Sequence, residues 1–161
     1  MLAPAHHSAA VRLFRRLAPP TARLLYHLFA RPDVSGLENV PPFSPYLTIF
    51  NHVSTFDGPM VMAFWPYPVE VLAAAYQMET LVNGTIIRAW GSTPVQRDQY
   101  DRRLIQKAIG YLEAGLPVMM SPEGTRSWKR GMNPARPGAG YLALKTGVPI
   151  VPVAVTGTEL M

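Results

Sequence analysis

The sequence predicts an α/β fold with a mostly parallel central sheet flanked by helices. Short apolar runs rich in β-forming residues alternate with segments of helical spacing, and this alternation is typical of parallel sheets whose strands are joined by helices. The chain has 161 residues, 48% of them hydrophobic, which is long enough for one domain with a buried core. We therefore expect a single α/β domain.

The predicted strands are short apolar segments flanked by glycine or proline. They cover residues 45–50, 69–75, 117–120 and 148–155. A further short extended segment covers residues 91–97 and ends on an arginine. Their apolar character indicates that the strands lie buried in the sheet.

The predicted helices lie between these strands and cover residues 59–65, 79–90, 98–114 and 138–145. The second of them ends near Gly91, the residue type expected after a helix C-terminus. In the third, leucine, isoleucine and alanine recur on one side, as in an amphipathic helix that covers a sheet. Helices and strands therefore alternate along the chain.

Residues 1–35 form a basic N-terminal segment, and residues 36–161 form the main domain. The segment has five arginines opposed only by Asp33, interleaved with leucine, valine and phenylalanine. We predict two short amphipathic helices separated by Pro19 and Pro20, with the arginines at the rim of an apolar face. Two interpretations remain open: a peripheral contact with a membrane surface, and a helical hairpin that packs on the main domain.

Composition excludes several classes of function. The absence of cysteine rules out disulfides, thiolate nucleophiles and iron–sulfur clusters. A net charge of +5 suits an acidic partner such as a phosphorylated ligand, an anionic membrane or a nucleic acid. No recognition-helix or aromatic-platform pattern accompanies the basic residues, so we do not predict nucleic-acid binding. No apolar run approaches the roughly 18 residues that span a bilayer.

The strongest chemical signal is the turn between the first predicted strand and its helix, where His52 precedes Asp57 by five residues. In one continuous helix the two side chains would point about 140° apart and could not meet. Pro59 is tolerated only in a first helical turn, so the helix begins close to Asp57. We predict that His52 lies in the turn and that its Nδ1 donates a hydrogen bond to Asp57.

A neutral imidazole in this arrangement is a general base near physiological pH. Asp57 would fix its tautomer and stabilise the imidazolium that forms. The alternative is a capping aspartate beside a histidine that only packs, because an isolated His-x4-Asp recurs by chance. A metal site is not predicted, since no third spaced ligand accompanies His52 and Asp57.

Four separated segments together resemble the glycerolipid acyltransferase family, typified by bacterial 1-acyl-glycerol-3-phosphate acyltransferases. Residues 51–57 (Asn-His-Val-Ser-Thr-Phe-Asp) resemble its Asn-His-x-Ser-x-x-Asp block, which contains the HX4D motif. Residues 121–127 (Ser-Pro-Glu-Gly-Thr-Arg-Ser) are similar to its third block, usually Phe-Pro-Glu-Gly-Thr-Arg-Ser. Residues 91–97 and 148–155 are similar to the second and fourth blocks. The likeness covers residues 36–157 and implies a glycerol-3-phosphate acyltransferase-like fold.

The resemblance also implies an activity. A fatty acyl group would pass from acyl-CoA or acyl-carrier protein to the hydroxyl of a lysophospholipid, with 1-acyl-glycerol-3-phosphate giving phosphatidate. His52 would deprotonate the hydroxyl and Asp57 would hold the imidazole. The thioester is a co-substrate, and neither a cofactor nor a metal is expected. The implied location is peripheral, at the cytoplasmic face of a membrane.

The acceptor's phosphate requires fixed cationic donors. The resemblance assigns substrate binding to Arg97, Glu123, Gly124, Thr125 and Arg126. The guanidinium of Arg126 is a planar fork that matches phosphate oxygens, and Gly124 permits a close approach of the backbone. The alternative is that the two arginines are surface residues, or that Arg126 forms a structural ion pair with Glu123.

Three departures from the family pattern set further expectations. Ser121 stands where the family often has an aromatic residue, and residues 136–138 replace a lysine-containing segment. The chain stops at Met161, just after the fourth block, so we expect an acyltransferase domain that is short at its C-terminus. Two alternatives follow: a non-catalytic lipid- or membrane-binding module that retains the fold, and an acyltransferase with a different lipid acceptor.

Overall fold

The structure is a computed structural model that describes residues 7–42, 44–96, 101–128 and 131–161. The strands of the described residues are β1 (Leu47–Phe50), β2 (Glu70–Ala74), β3 (Thr93–Val95), β4 (Val118–Met120) and β5 (Ile150–Val153). The helices are α1 (Ala9–Phe29), α2 (Asp57–Phe64), α3 (Leu81–Trp90), α4 (Arg102–Glu113) and α5 (Gly138–Thr146). Short 3-10 helices cover Leu37–Asn39, Ala75–Glu79 and Thr158–Leu160.

The five strands form one sheet in the order β3-β2-β4-β1-β5, and every neighbouring pair is parallel. The α/β prediction is therefore confirmed. Because β1 and β4 are neighbours near the centre of the sheet, the loops that follow their carboxyl ends lie side by side. These two loops are the first and third sequence blocks.

Both faces of the sheet are covered, as expected for parallel strands. On one face Tyr46, Phe50 and Met119 pack with Val61 and Trp65, from α2 and the residue that follows it. On the other face a second set packs with α4 and α5, and it includes Leu47, Val118, Leu112, Ala139 and Leu142. Neighbouring residues of β1 and β4 thus enter opposite cores, in keeping with the two-residue period of a strand.

The N-terminal segment forms a single helix, α1, and the predicted break at Pro19 and Pro20 is wrong. Each proline removes one backbone hydrogen bond from a helix interior. The helix continues because it is anchored to the domain on both sides of the prolines. Arg15 precedes them and Tyr26 follows them, and both side chains are buried.

Arg15 anchors α1 to strand β2 and to the end of helix α3. Its Nη1 and Nη2 donate to the two carboxylate oxygens of Glu70 at 2.9 and 3.1 Å, and its Nε donates to the carbonyl of Trp90 at 2.7 Å. His7 Nε2 lies 3.0 Å from the same carboxylate. The N-terminal half of α1 is therefore held by a buried ion pair between α1 and β2.

The second half of α1 contacts α2. Tyr26 donates from its hydroxyl to the carbonyl of Phe56 at 3.3 Å, and Arg23 donates to the carbonyl of Ala63. Burial, and then the charge of nearby Asp57, raises the pKa of Tyr26 to about 12. Because α1 reaches from β2 to the start of α2, it packs on the main domain along its length.

The element boundaries agree with the predicted order and differ by a few residues. The predicted third helix, residues 98–114, is α4 from Arg102 to Glu113, and residues 98–100 lie outside the described residues. Asp101 caps α4, since its carboxylate accepts the backbone N–H groups of Arg103 and Leu104. The helix therefore begins just after this cap.

Candidate active site

The candidate site lies at the carboxyl edge of the sheet, where β1 leads through a tight turn into α2. His52 occupies the turn and Asp57 is the first residue of α2. The fully buried Asp57 sits at a helix N-terminus, where the helix dipole favours negative charge. The imidazole is 22% exposed and lies edge-on to the ring of Phe50.

The imidazole and the carboxylate are in direct contact. His52 Nδ1 lies 2.9 Å from Asp57 Oδ2, and the same oxygen accepts the backbone N–H groups of Val53 at 2.6 Å and Ser54 at 2.7 Å. Because an anionic carboxylate only accepts, Nδ1 carries the proton in this contact. Among the described residues none forms a hydrogen bond with Nε2, which leaves that nitrogen to take a proton.

The environment of Asp57 keeps its carboxyl ionised. Burial raises the pKa of Asp57, but hydrogen bonds from His52, Ser54 and Thr158 outweigh burial and hold the pKa below the ordinary value of 3.8. The Thr158 hydroxyl donates to the second carboxylate oxygen, Oδ1. Asp57 is therefore an anion at neutral pH, as the partner of a general base must be.

Ser54 supports the turn through its hydroxyl. Its Oγ accepts the backbone N–H of Phe56 at 3.3 Å, one residue before α2 begins. The N-cap position itself is Phe56, which makes no side-chain capping bond. Ser54 thus shapes the turn that precedes the helix.

The backbone of His52 is held on both sides by the loop that follows β4. Glu123 Oε1 accepts the N–H of His52 at 2.7 Å, and Ser127 donates its N–H to the carbonyl of His52 at 2.6 Å. The two sequence blocks therefore form one unit, in which the third block fixes the position of the histidine. Neighbouring parallel strands β1 and β4 bring them together.

Glu123 has an internal role in this structure. The side chain is buried, and its Oε2 accepts the backbone N–H of Asn133 at 2.7 Å. Both carboxylate oxygens thus accept main-chain N–H groups, and the guanidinium of Arg126 donates to the hydroxyl of Thr55 instead. The geometry favours a supporting role for Glu123 over the substrate contact or the Arg126 ion pair that the sequence suggested.

Gly124 has a backbone conformation that glycine alone adopts readily, with φ at +67°. A Cβ there would also lie 2.8 Å from Nε and 2.9 Å from Cδ of Arg136. The missing side chain therefore allows Arg136 to cross the loop at close range. Thr125, the next residue, is half-buried in the same loop.

Arg126 projects toward the turn that carries His52. Its Nη1 donates to the hydroxyl of Thr55 at 2.9 Å, and its guanidinium carbon lies 3.7 Å from the ring centroid of Trp128. The guanidinium is half-buried and stacked on the indole, which fixes the plane of the fork. Arg97, the other predicted cation, lies outside the described residues.

Two supporting residues were not assigned a role from the sequence. Asn51 bridges to β5, since its Nδ2 donates to the carbonyl of Val155 at 2.8 Å and its Oδ1 accepts the N–H of Val155 at 2.7 Å. Thr158 contacts Asp57 from a segment beyond the fourth block. The position of Asn51 beside His52 was a usable signal, whereas nothing in the sequence singled out Thr158.

The fold and these side chains define a class of α/β proteins with a histidine–aspartate couple and an arginine at the carboxyl edge of a parallel sheet. A family model, described as Acyltransferase, matches residues 31–156. The chain belongs to this acyltransferase family.

Individual relatives support the same family. The chain is 33% identical over 156 residues to the 1-acyl-sn-glycerol-3-phosphate acyltransferase of Saccharomyces cerevisiae, covering 88% of this chain and 50% of that protein. It is 30% identical over 149 residues to a chloroplastic protein of that name from Brassica napus, covering 85% and 40%. The chain therefore spans about half the length of these curated relatives or less.

A solved structure has the same fold. The crystal structure of the 1-acyl-sn-glycerophosphate acyltransferase from Thermotoga maritima matches with a TM-score of 0.74 and 25% identity, covering 92% of this chain and 60% of that one. In the described part of this chain, no helix has the length and apolar character needed to traverse a bilayer. Nor do the described residues bring three or more His, Asp or Glu side chains together as metal ligands.

Proposed function

We propose that this chain transfers a fatty acyl group from an acyl thioester to the free hydroxyl of 1-acyl-glycerol-3-phosphate, giving phosphatidate. The observation that carries the proposal is the contact between His52 Nδ1 and the buried Asp57, which leaves Nε2 without a hydrogen bond to the described residues. The names of the relatives supply the substrate class. The reaction uses the thioester as its co-substrate and needs no cofactor.

The chemistry is a direct transfer between two bound substrates. Nε2 of His52 takes the hydroxyl proton as the oxygen attacks the thioester carbonyl carbon. The tetrahedral intermediate then collapses with cleavage of the carbon–sulfur bond, and the leaving thiolate takes the proton from the imidazolium. One ester and one free thiol form, and Asp57 stabilises the imidazolium between the two steps.

The donor is tested by supplying acyl-CoA or acyl-carrier protein together with 1-acyl-glycerol-3-phosphate. Release of free thiol, matched by an equal amount of phosphatidate, is the expected result with at least one donor. Thiol release that does not need the acceptor would indicate a thioester hydrolase. Neither product with either donor would contradict the proposal.

Arg126 is the proposed contact for the acceptor's phosphate, because its guanidinium stacks on Trp128 and donates to Thr55 in the turn that carries His52. We expect Arg126→Lys to lower kcat/KM for 1-acyl-glycerol-3-phosphate by about tenfold or more, since an ammonium cannot reproduce a bidentate contact. The same variant should leave the rate with dephosphorylated 1-acylglycerol nearly unchanged. The measurement is kcat/KM with both acceptors.

Arg103→Lys is the matched control, since this exposed arginine lies on α4, which packs on the sheet face opposite α2. It should leave both rates unchanged. Equal losses with the two acceptors in Arg126→Lys would contradict phosphate recognition and favour a structural role for Arg126. If Arg126→Lys lowers kcat/KM only for a different phosphorylated lysophospholipid, that lipid is the acceptor.

A membrane contact through α1 is the second part of the proposal. Leu13, Leu17, Leu24 and Leu28 form an exposed stripe, and helical spacing places it on the side opposite the buried Arg15 and Tyr26 (about 100° per residue). An apolar stripe beside arginines suits an anionic bilayer surface. The location we propose is the cytoplasmic face, whose surface potential is negative.

Vesicle flotation tests this contact. We expect a variant with Leu17→Ser, Leu24→Ser and Leu28→Ser to bind anionic vesicles at least about tenfold more weakly than the wild type, because these side chains of the stripe are 55, 61 and 67% exposed and would enter the bilayer interface. Leu144→Ser, at an 89% exposed leucine of α5, is the control and should bind normally. Equal binding by all three proteins would contradict a role for α1.

Vesicle flotation combined with the thiol-release assay distinguishes the enzyme from the second candidate function, a non-catalytic module that binds membranes. The exposed stripe of α1 is the observation that favours it. Vesicle binding without any thiol release or phosphatidate formation would support that module over the enzyme. Binding together with acyl transfer would support the enzyme.

A further inference from the structure

Among the described residues, Thr158 donates the one hydrogen bond to the Asp57 carboxylate that comes from outside the His52 turn. Its hydroxyl donates to Oδ1, while the three other donors, from His52, Val53 and Ser54, all converge on Oδ2. The residue is 1% exposed and lies 101 positions further along the chain. Burying a hydroxyl without a hydrogen bond costs free energy, and the Thr158 hydroxyl avoids this cost by donating to the carboxylate.

The local backbone directs Thr158 toward the site. Asn51 binds both main-chain groups of Val155, and these two hydrogen bonds hold the chain that follows β5 against the turn that carries His52. Gly157 then has a φ of +82°, a left-handed conformation that reverses the chain and begins the 3-10 helix at Thr158. The reversal brings the threonine hydroxyl back to Asp57.

We infer that Thr158 is a positioning residue that fixes the plane of the Asp57 carboxylate and thereby aims the His52 imidazole. This inference rests on the proposed function of the couple. With donors on Oδ2 alone, the carboxylate can turn about its Cβ–Cγ bond and move the acceptor of His52 Nδ1. A donor on Oδ1 opposes that rotation, as outer partners of a catalytic or metal-bound group do.

In the part of the chain that the structure describes, the titratable groups that interact with Asp57 are His52, from the same turn, and Tyr26, from α1. Tyr26 has a pKa of about 12 and stays neutral through the working range. The Thr158 bond also helps to lower the pKa of Asp57, after the larger contributions of burial, which opposes it, and of His52 and Ser54. Removing the hydroxyl should therefore raise the pKa of this carboxyl.

The test uses the full chain, three variants at the buried threonines, and His52→Ala as the inactive reference. Thr158→Val removes the hydroxyl at nearly constant volume, and Thr158→Ser keeps it. Thr48→Val is the matched control, because Thr48 is equally buried, in β1, and its hydroxyl has no hydrogen-bond partner among the described residues. We expect Thr158→Val to lower kcat about tenfold with KM nearly unchanged, Thr158→Ser to restore most of the rate, and Thr48→Val to behave as wild type.

A spectroscopic reading separates positioning from simple destabilisation. Titration of the Asp57 carboxyl carbon by ¹³C NMR should give a higher pKa in Thr158→Val than in the wild type or in Thr48→Val. Wild-type kcat in Thr158→Val, with His52→Ala inactive, would overturn the inference and leave the proposed function intact. If the wild type transfers no acyl group, the proposed function fails, and an unchanged Asp57 titration in Thr158→Val would then overturn the inference as well.

Discussion

Asp57→Asn is expected to lower kcat by about a thousandfold or more while the chain stays folded. The amide oxygen can still accept the donors that converge on Oδ2, and the amide nitrogen can donate to the Thr158 hydroxyl, which then accepts. Geometry is thus retained while the negative charge is lost. Without that charge the imidazolium formed during transfer is not stabilised, which is the step at which such couples contribute most.

Steady-state thiol release and thermal unfolding together measure this effect. Asp101→Asn is the matched control, because Asp101 caps α4 through its side chain and asparagine is an equally good capping residue. The control should retain full activity. A rate in Asp57→Asn within tenfold of the wild type would show that the carboxylate does not support the base.

Glu70→Gln is expected to destabilise the chain by about 3–5 kcal/mol, because it leaves the buried guanidinium of Arg15 without its counter-charge. That is a large share of the roughly 5–15 kcal/mol that holds an ordinary domain folded. The loss should act first on α1, which this ion pair ties to β2. Urea denaturation at neutral pH measures the change in the free energy of unfolding.

The pH dependence gives an independent reading of the same pair. Burial raises the pKa of Glu70, but the hydrogen bonds and charges of Arg15 and His7 outweigh it and lower the pKa from 4.5. A carboxyl with a lowered pKa contributes stability that is present above its unfolded pKa and is lost as the pH falls through the folded value. The free energy of unfolding of the wild type should therefore decrease as the pH falls below about 4.5. In Glu70→Gln this decrease should be smaller, because the carboxyl that contributes to it is gone.

Glu113→Gln, at the exposed end of α4, is the control for removal of a carboxylate. It should change the free energy of unfolding by less than about 0.5 kcal/mol. If Glu70→Gln also changes the free energy of unfolding by less than about 0.5 kcal/mol, the account of the buried ion pair is contradicted. Such a result would mean that Arg15 finds water or another partner when Glu70 is neutral.

The sheet could be predicted from the sequence because its signals are local. Apolar runs flanked by glycine and proline marked the strands, and Pro59 restricted where α2 could begin, which placed Asp57 within reach of His52. Each of these inferences needs only neighbouring residues. The contact between imidazole and carboxylate follows from the same local constraint, and its catalytic role stays a prediction.

The remaining features depend on contacts between distant residues. The helix α1 continues through Pro19 and Pro20 because Arg15 binds Glu70, 55 positions away. Thr158 reaches Asp57 across 101 positions. A single sequence carries no record of such pairs, so propensity alone predicted a break at the prolines and gave Thr158 no role.

Glu123 illustrates the same limit within one motif. Three residues before Arg126, its charge suggests an ion pair or a substrate contact. The structure instead turns the carboxylate inward to the backbone of His52 and Asn133. Burial, which the sequence did not reveal, decides which of these contacts forms.

The most direct measurement of the central claim is phosphatidate formation by the wild type and by His52→Ala, followed by mass spectrometry with the donor that supports thiol release. We expect the wild type to form one phosphatidate for each thiol released. The variant should be slower by about a thousandfold at a nearly unchanged melting temperature. A folded His52→Ala protein that forms phosphatidate at the wild-type rate would contradict the assignment of His52 as the base.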